Sequence, residues 1–261
     1  MEKSTAIGVF VGLFSVIVGM ALKGASPMAL ANPAAFMIII GGTIACLFNA
    51  FTMDILKNFP NLIKTLFRQP QLMPKIEMLK MFVELSQVAR REGILALESR
   101  VDEIKDDFLR KGLSMVIDGL DPDFVGDVLD AEIQSMEERH RIGALVFSQA
   151  GTYAPTLGVL GAVIGLIAAL GNLDDIEKLG HSIAAAFVAT LLGIFTGYVI
   201  WHPFSNKLKM MSKKEVDSKK MMVEGILSLQ AGDSPTAIEA KLMVFIPQTE
   251  RHLLKAKTEE A

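Results

Sequence analysis

Two stretches without a single formal charge constrain this chain more than any other feature. No Asp, Glu, Lys or Arg falls between Ile142 and Leu173, nor between Leu179 and Asn206. A bilayer core of ~30 Å needs about 20 apolar residues of helix to cross it. Residues 144–170 and 183–204 both meet that length, and a short acidic turn, Asn172-Leu-Asp-Asp-Ile-Glu, joins them. The pair reads as a transmembrane hairpin. Pro155 and Pro203 lie inside it, along with many small residues. Lipid offers no water to a carbonyl freed by proline, so such a residue needs neighbouring helices or an internal cavity. The hairpin is therefore expected to pack against other helices and to line a path.

The rest of the chain repeats this segregation. Hydrophobic residues make up 51% and charged residues 21%, but they fall into separate blocks, as in a membrane protein with a sizeable soluble part. Thr5 to Leu22 forms a further apolar run. With Lys3 and Ala29-Leu-Ala31 it imitates a secretory signal peptide, yet it exceeds the usual ~7–15 apolar residues, and another long run follows. It is expected to be a first membrane helix. The second runs from about Ala34 to Met53. The expectation is an all-α polytopic membrane protein of four parts. Residues 1–53 hold membrane helices one and two, and 54–141 a large helical cytoplasmic domain. Residues 142–206 hold membrane helices three and four, and 207–261 a helical cytoplasmic tail. Within the loop, Leu79, Phe82, Val83, Leu85 and Val88 recur at helical spacing. In the tail, Ala231-Gly-Asp-Ser-Pro235 reads as a turn between two amphipathic helices.

Orientation follows from basic residues beside the spans. Lys57, Lys64 and Arg68, then Arg139 and Arg141, then Lys207, Lys209, Lys213 and Lys214 all fall on one side, against only Lys23 and Lys178 on the other. The positive-inside tendency places that side, and both termini, in the cytoplasm. The formal net charge of -3 and the lack of a basic stripe argue against nucleic acid as a partner.

Little here promises bond-making chemistry. There is no phosphate-binding G-x-x-x-x-G-K-[ST] loop, no G-x-S-x-G elbow and no H-E-x-x-H. His140, His181, His202 and His252 are scattered, and Cys46 is the single cysteine, so neither a catalytic centre nor a metal site is expected. The apolar runs also lack the carboxylates that bind and release ions in proton pathways, so a carboxylate would have to come from another chain. Hydroxyls such as Thr152, Thr190 and Thr196 can serve water along a path, or simply bond their own helix backbone.

Small residues and loop charges complete the pattern. Gly8/Gly12, Gly161/Gly165 and Gly193/Gly197 have the spacing that places two glycines on one helix face, which favours dense packing within or between subunits and makes a homo-oligomer plausible. In the loop, Arg90, Arg91 and Glu98 bring opposite charges onto neighbouring surface. They form either a solvated face with weak ion pairs or a docking surface that steers a partner.

Several of these segments resemble the MotA family, the larger stator subunits of bacterial flagellar motors. Ala150-Gly-Thr-Tyr-Ala-Pro155-Thr-Leu-Gly, Ala189-Thr190-Leu-Leu-Gly and Trp201-His-Pro203-Phe look like its third and fourth membrane helices. Leu30-Ala-Asn-Pro33-Ala-Ala, Ala-Arg90-Arg91-Glu-Gly and Gly112-Leu-Ser-Met-Val-Ile-Asp-Gly119 match it as well. The resemblance implies five such chains around the helices of two MotB chains, whose Asp would bind the ion, and a push of the loops on the rotor protein FliG. It implies that Pro155 and Pro203 couple ion flow to movement, that Thr190 lies on the ion pathway, and that Arg90 and Glu98, with Arg91 beside them, engage the rotor. Ser99 stands where some relatives carry a second acid. Sodium-driven relatives carry Thr where Ala162 and Ala189 stand here, so the resemblance implies proton coupling. ExbB and TolQ, energising channels that also ring a carboxylate-bearing partner, are the alternative, but they look three-helical with the N-terminus outside.

Overall fold

The computed structural model describes residues 3–68, 72–171 and 173–251; His252 and the end of the tail lie outside them, as does Asn172. The described chain is helical, with no strand among the described residues. Four helical segments are long and apolar enough to cross a membrane: Lys3–Leu22, Pro27–Ala50, and the apolar parts of Pro122–Leu170 and Ile176–Gln230.

Two compact units emerge. The first takes residues up to 68 together with 140–210; the second takes 72–139 together with 211–251.

In the first unit, α1 (Lys3–Leu22) is followed by a 3-10 turn, Pro27–Leu30. The second span is a composite of α2 (Pro33–Phe36), a π-helical turn (Met37–Gly41) and α3 (Gly42–Ala50). Its start is fixed locally. Asn32 is extended and its side chain accepts from Ala35 N at 3.1 Å, while Pro33 occupies the first helical position, where a missing N–H costs nothing. Two short helices, α4 (Met53–Lys57) and α5 (Phe59–Phe67), belong to this unit and not to the second. Phe59 stacks on Phe147 at 5.1 Å, Leu66 is fully buried, and Leu66 O accepts from Thr5 Oγ1 at 3.0 Å. Lys207 Nζ donates to Ser4 and Thr5, so α1 is tied down by the one residue it buries.

The hairpin is built from α9 (Pro122–Leu170) and α10 (Ile176–Phe195), which continues through a second π-helical turn (Thr196–Trp201) into α11 (His202–Gln230). Asp175 caps α10, accepting from Lys178 N at 3.1 Å. That bond and the Lys178 ammonium hold its carboxyl below the usual range.

The second unit has a core of large apolar side chains. It contains α6 (Lys75–Glu92), a 3-10 turn (Ile94–Leu97), α7 (Glu98–Val101), α8 (Asp107–Ile117), the first part of α9, the later part of α11, and α12 (Pro235–Met243). Phe82, Leu97, Leu109, Leu129, Met221 and Ile226 are fully buried in one cluster. After Gln230 the chain turns at Gly232, at φ 71, and Ser234 starts α12 by accepting from Ala237 N. The tail packs into this core through Ile238, Leu242 and Ile246.

Candidate functional site, the α9–α10 seam

Between residues 154–165 of α9 and 186–193 of α10 the two helices approach so closely that backbone meets backbone. A methyl group added to Gly158 would meet Ala189 O and Gly193 Cα, each at 2.9 Å; one added to Gly193 would meet Ala154 O at 2.8 Å. Further along, Gly161 faces the Ala189 methyl and Gly165 faces Ala186. As the numbers rise on one helix they fall on the other, so the helices are antiparallel. Two of the three glycine pairs of the sequence are thus consumed inside one chain. In the third, Gly12 packs against Val199 and Phe195 of the same chain, while Gly8 has nothing within 4 Å.

Pro155 marks the end of the seam. It stands inside α9, where proline lacks the N–H that would bond the carbonyl four residues back, at Gly151. That freed oxygen lies against Gly197: a methyl there would stand 2.8 Å from Gly151 O and 2.7 Å from Pro155 Cγ. Gly197 is itself in the π-helical turn, where the helical register already carries an extra residue. Two departures from regular helix, one on each strand of the hairpin, therefore meet at one contact. Pro203 is the second residue beyond that turn and is exposed, and the preceding His202 ring packs on Gly151.

The remaining hairpin residues divide. Ala189 is buried, 3% exposed, in the seam itself with Ala35, Ile39 and Ala154. Ala162 and Thr190 are half-buried. With about 100° per residue, each lies roughly 60° in the chain direction from the centre of its own packing stripe. Because both helices are right-handed and run antiparallel, equal rotations carry the two side chains to the same flank, and Pro155 falls on that flank too. Thr196 falls on the opposite one. Thr190 Oγ1 donates to Ala186 O at 3.4 Å and Thr196 Oγ1 to Leu192 O at 2.9 Å, so both hydroxyls bond their own helix. Each retains lone pairs for a further donor. The seam residues Ala154, Gly158 and Gly193 were not singled out beforehand as a set; facing glycines one turn apart on both arms of the hairpin were the available signal.

The loop charges belong to the second unit. Arg90 and Arg91 end α6, Gly93 reverses the chain at φ 88, and Glu98 opens α7; all three charged residues are exposed. Among the described residues no ion pair joins them. Arg90 borders a small cavity of about 110 Å³, shared with Ser86 of α6, with Gln230 at the end of α11 and with Asp233 just beyond it. Nearby, Lys241 Nζ lies 2.9 Å from Asp233 and 3.4 Å from Glu224. The bond from Lys241 holds the Asp233 carboxyl below its usual range, and Asp233 in turn raises the Lys241 ammonium.

Comparison with known proteins places this geometry. Residues 100–221 match the model of the MotA/TolQ/ExbB proton channel family, and residues 6–93 match that of the motility protein A N-terminal region. The chain is 52% identical to motility protein A of Bacillus subtilis over 251 residues, 96% of this chain and 93% of that one. It is 30% identical to chemotaxis protein PomA of Vibrio alginolyticus, over 97% and 98% of the two chains. The fold matches a chain of the flagellar MotAB stator complex from Bacillus subtilis with a TM-score of 0.90 at 52% identity, covering 95% of this chain and 98% of that one. It matches a chain of C. jejuni MotAB with the same TM-score at 31% identity, covering 95% and 97%.

Proposed function

Since the chain belongs to the motility protein A group of the MotA/TolQ/ExbB proton channel family, we propose that it is a stator subunit of a bacterial flagellar motor. It is a non-enzymatic channel subunit. With a MotB-type partner it forms a path for protons and converts their flow into torque on the rotor protein FliG. The observation that carries this reading is the carboxylate-free state of both hairpin runs, in a chain of a proton channel family. An ion-binding carboxylate must then come from the partner helix. Ala162, Thr190 and Pro155, on one flank of the seam, are the side offered to that helix. The Pro155–Gly197 contact is the element that changes when the partner's carboxylate gains or loses its proton, and Pro203 follows it in the chain.

The subunit works as a homo-oligomer, five copies around two MotB chains, in the bacterial cytoplasmic membrane with both termini and the soluble unit in the cytoplasm. There Arg90, Arg91 and Glu98 engage complementary charges on the rotor. The energising-channel alternative is disfavoured by the match of residues 6–93 to a motility-specific region. The methyl group of Ala162, on that flank, offers no oxygen ligand to a hard cation such as sodium, which favours the proton, whereas Ala189 faces the seam and not the path.

The test is swimming speed against external sodium at fixed pH, with this chain and its MotB as the only stators of a motile host. Speed independent of sodium but lost when the proton gradient collapses is expected. Speed that tracks sodium would overturn the ion, and absence of motility despite good expression would overturn the stator reading.

A further inference from the structure

The flank that carries Ala162 and Thr190 continues past Pro155, and its chemistry changes there. Ala162 and Thr190 each follow a seam residue by one, Gly161 and Ala189 respectively. Thr152 and Tyr198 repeat that relation to Gly151 and Gly197, so at about 100° per residue they face the same flank. Toward the acidic turn, the α9 side of this flank reads Val159, Ala162 and Leu166. Toward the basic end of the hairpin it reads Thr152 and, one turn earlier, Ser148. Thr152 is exposed, Ser148 is half-buried, and Tyr198 is 64% exposed. Thr152 Oγ1 donates to Ser148 O at 3.1 Å and keeps its lone pairs for water.

These hydroxyls lead to one ring. His202 lies against Gly151 through Cγ, Cδ2 and Nδ1, each 2.8 to 2.9 Å from where a methyl there would stand, which leaves Nε2 on the far edge. Its centroid is 5.4 Å from that of Tyr198. The ring is half-buried, and among the described residues no hydrogen bond occupies either nitrogen. Residues 144–170 and 183–204 hold no carboxylate, and their titratable side chains are Tyr153, Tyr198 and His202. Of these types only imidazole exchanges protons near neutral pH. Across the seam α9 presents Gly151, flanked by Ser148 and Thr152, none of which titrates. The first charges along this flank are Arg141, about 15 Å before Gly151 on α9, and Lys209 on the helix of His202 itself.

A proton that leaves a carboxylate inside the membrane passes between hydroxyls only through water, and needs a group able to hold it before it reaches bulk solvent. Resting on the stator reading above, we propose that His202 is that group, a relay between the partner's carboxylate and the cytoplasm, reached along Thr152, Ser148 and Tyr198. The carboxyl O–H bond breaks and leaves a carboxylate. The proton crosses water held by the hydroxyls and forms an N–H bond at the free ring nitrogen of neutral His202. The imidazolium then gives a proton to cytoplasmic water, and the ring returns to its starting state with nothing else consumed. Because the ring rests on Gly151, its charge comes and goes beside the Pro155–Gly197 contact.

The test measures swimming speed against cytoplasmic pH, set with a permeant weak acid at fixed external pH. This chain and its MotB are the only stators of the host, and tagged stators are counted at the motor. Each variant is read as a ratio to the unaltered chain at the same pH, so that the loss of driving force cancels. His202→Gln, similar in size but unable to take up a proton, should be several-fold slower at neutral pH with the stator count unchanged. Its ratio should climb toward one as acidification keeps the ring of the unaltered chain protonated and stops its relay. Thr152→Val, which keeps the shape and removes the hydroxyl, should give a ratio below one that does not change with pH. A His202→Gln ratio that is low but constant means that the ring only packs, and overturns the proposal; so does a ratio of one for either variant. Should His202→Gln fail to reach the motor, Thr152→Val decides by the same criterion. Failure of the unaltered chain to drive motility is a different result, and overturns the stator reading itself.

Discussion

The two units of this chain obey opposite rules of burial. In the first, the closest contacts are made by glycine and alanine, while Phe10, Phe14, Ile167 and Phe187 point outward, 56% to 72% exposed. In the second, Phe82, Leu109 and Met221 are inside and charged residues outside. Water drives large apolar side chains together, but lipid does not; there, packing gains most from close backbone approach. The same covalent chain thus has two meanings for one residue type. A glycine at 158 or 193 is a contact, whereas a leucine at 109 or 113 is a contact only because water is excluded from it.

The sharpest way to break the comparison is Gly193→Leu. The added side chain would meet backbone on the facing helix, which cannot move aside, so the hairpin should fail to close. No folded subunit is expected on size-exclusion of detergent extracts. Pro155→Ala comes next, with a different failure: assembly should persist while torque disappears, because only the freed carbonyl and the Gly197 contact are altered. Normal swimming would refute that assignment. Arg90→Glu and Glu98→Lys, in the second unit, should strongly impair swimming with membrane insertion unchanged; if both variants swim normally, these charges do not dock the rotor. Gly112→Ala then tests the other rule directly. Its methyl would meet Ile226 Cδ1 at 2.5 Å, the tip of a flexible side chain, so a loss of ~1–3 kcal/mol in thermal or denaturant unfolding is expected. Gly158→Ala, whose methyl meets backbone, should cost more. Equal losses would mean that the seam yields as readily as a side-chain tip does.

The smallest effect is electrostatic. Asp233 has a lowered folded pKa, so its stabilising contribution is present above the ordinary carboxylate pKa of ~3.9 and is lost as pH falls through the folded value. Lys241 has a raised one, so its contribution is complete below ~10.4 and is lost as pH rises through its folded value. Between those limits Asp233→Asn should destabilise the fold only slightly, as loss of an exposed pair does, and should flatten the acid limb of the stability profile.

Much of the first unit was legible because absence of charge over twenty residues has few explanations. The four spans, the hairpin and the turn before Pro235 follow directly from residue type. Other features did not. Nothing in Met37–Gly41 or Thr196–Trp201 distinguishes a π-helical turn from regular helix, since Ile, Val and Gly serve either. α5 is amphipathic, and that pattern alone does not say whether Phe59 and Leu66 face a soluble core or, as found, the ends of membrane helices. The glycine spacing announced close packing but not its partner. Seam geometry was needed to show that Gly161, Gly165, Gly193 and Gly197 are satisfied within the chain, and that Ala189 is walled in while Ala162 and Thr190 are not.

The π-helical turn at Thr196–Trp201 carries one surplus residue, and everything after it inherits the offset. Were the turn to relax to regular helix with its residue count unchanged, the hydrogen bonds would remain acceptable, yet His202, Lys207 and the start of α11 would swing through about 100°. Trp201 would lose its place beside Phe59, and Lys207 its hold on Thr5. A segment that looks tolerant of nearly any apolar substitution is therefore intolerant of a change in winding: the surplus residue and the wide turn cancel, and either one without the other would turn the rest of the helix to a different face.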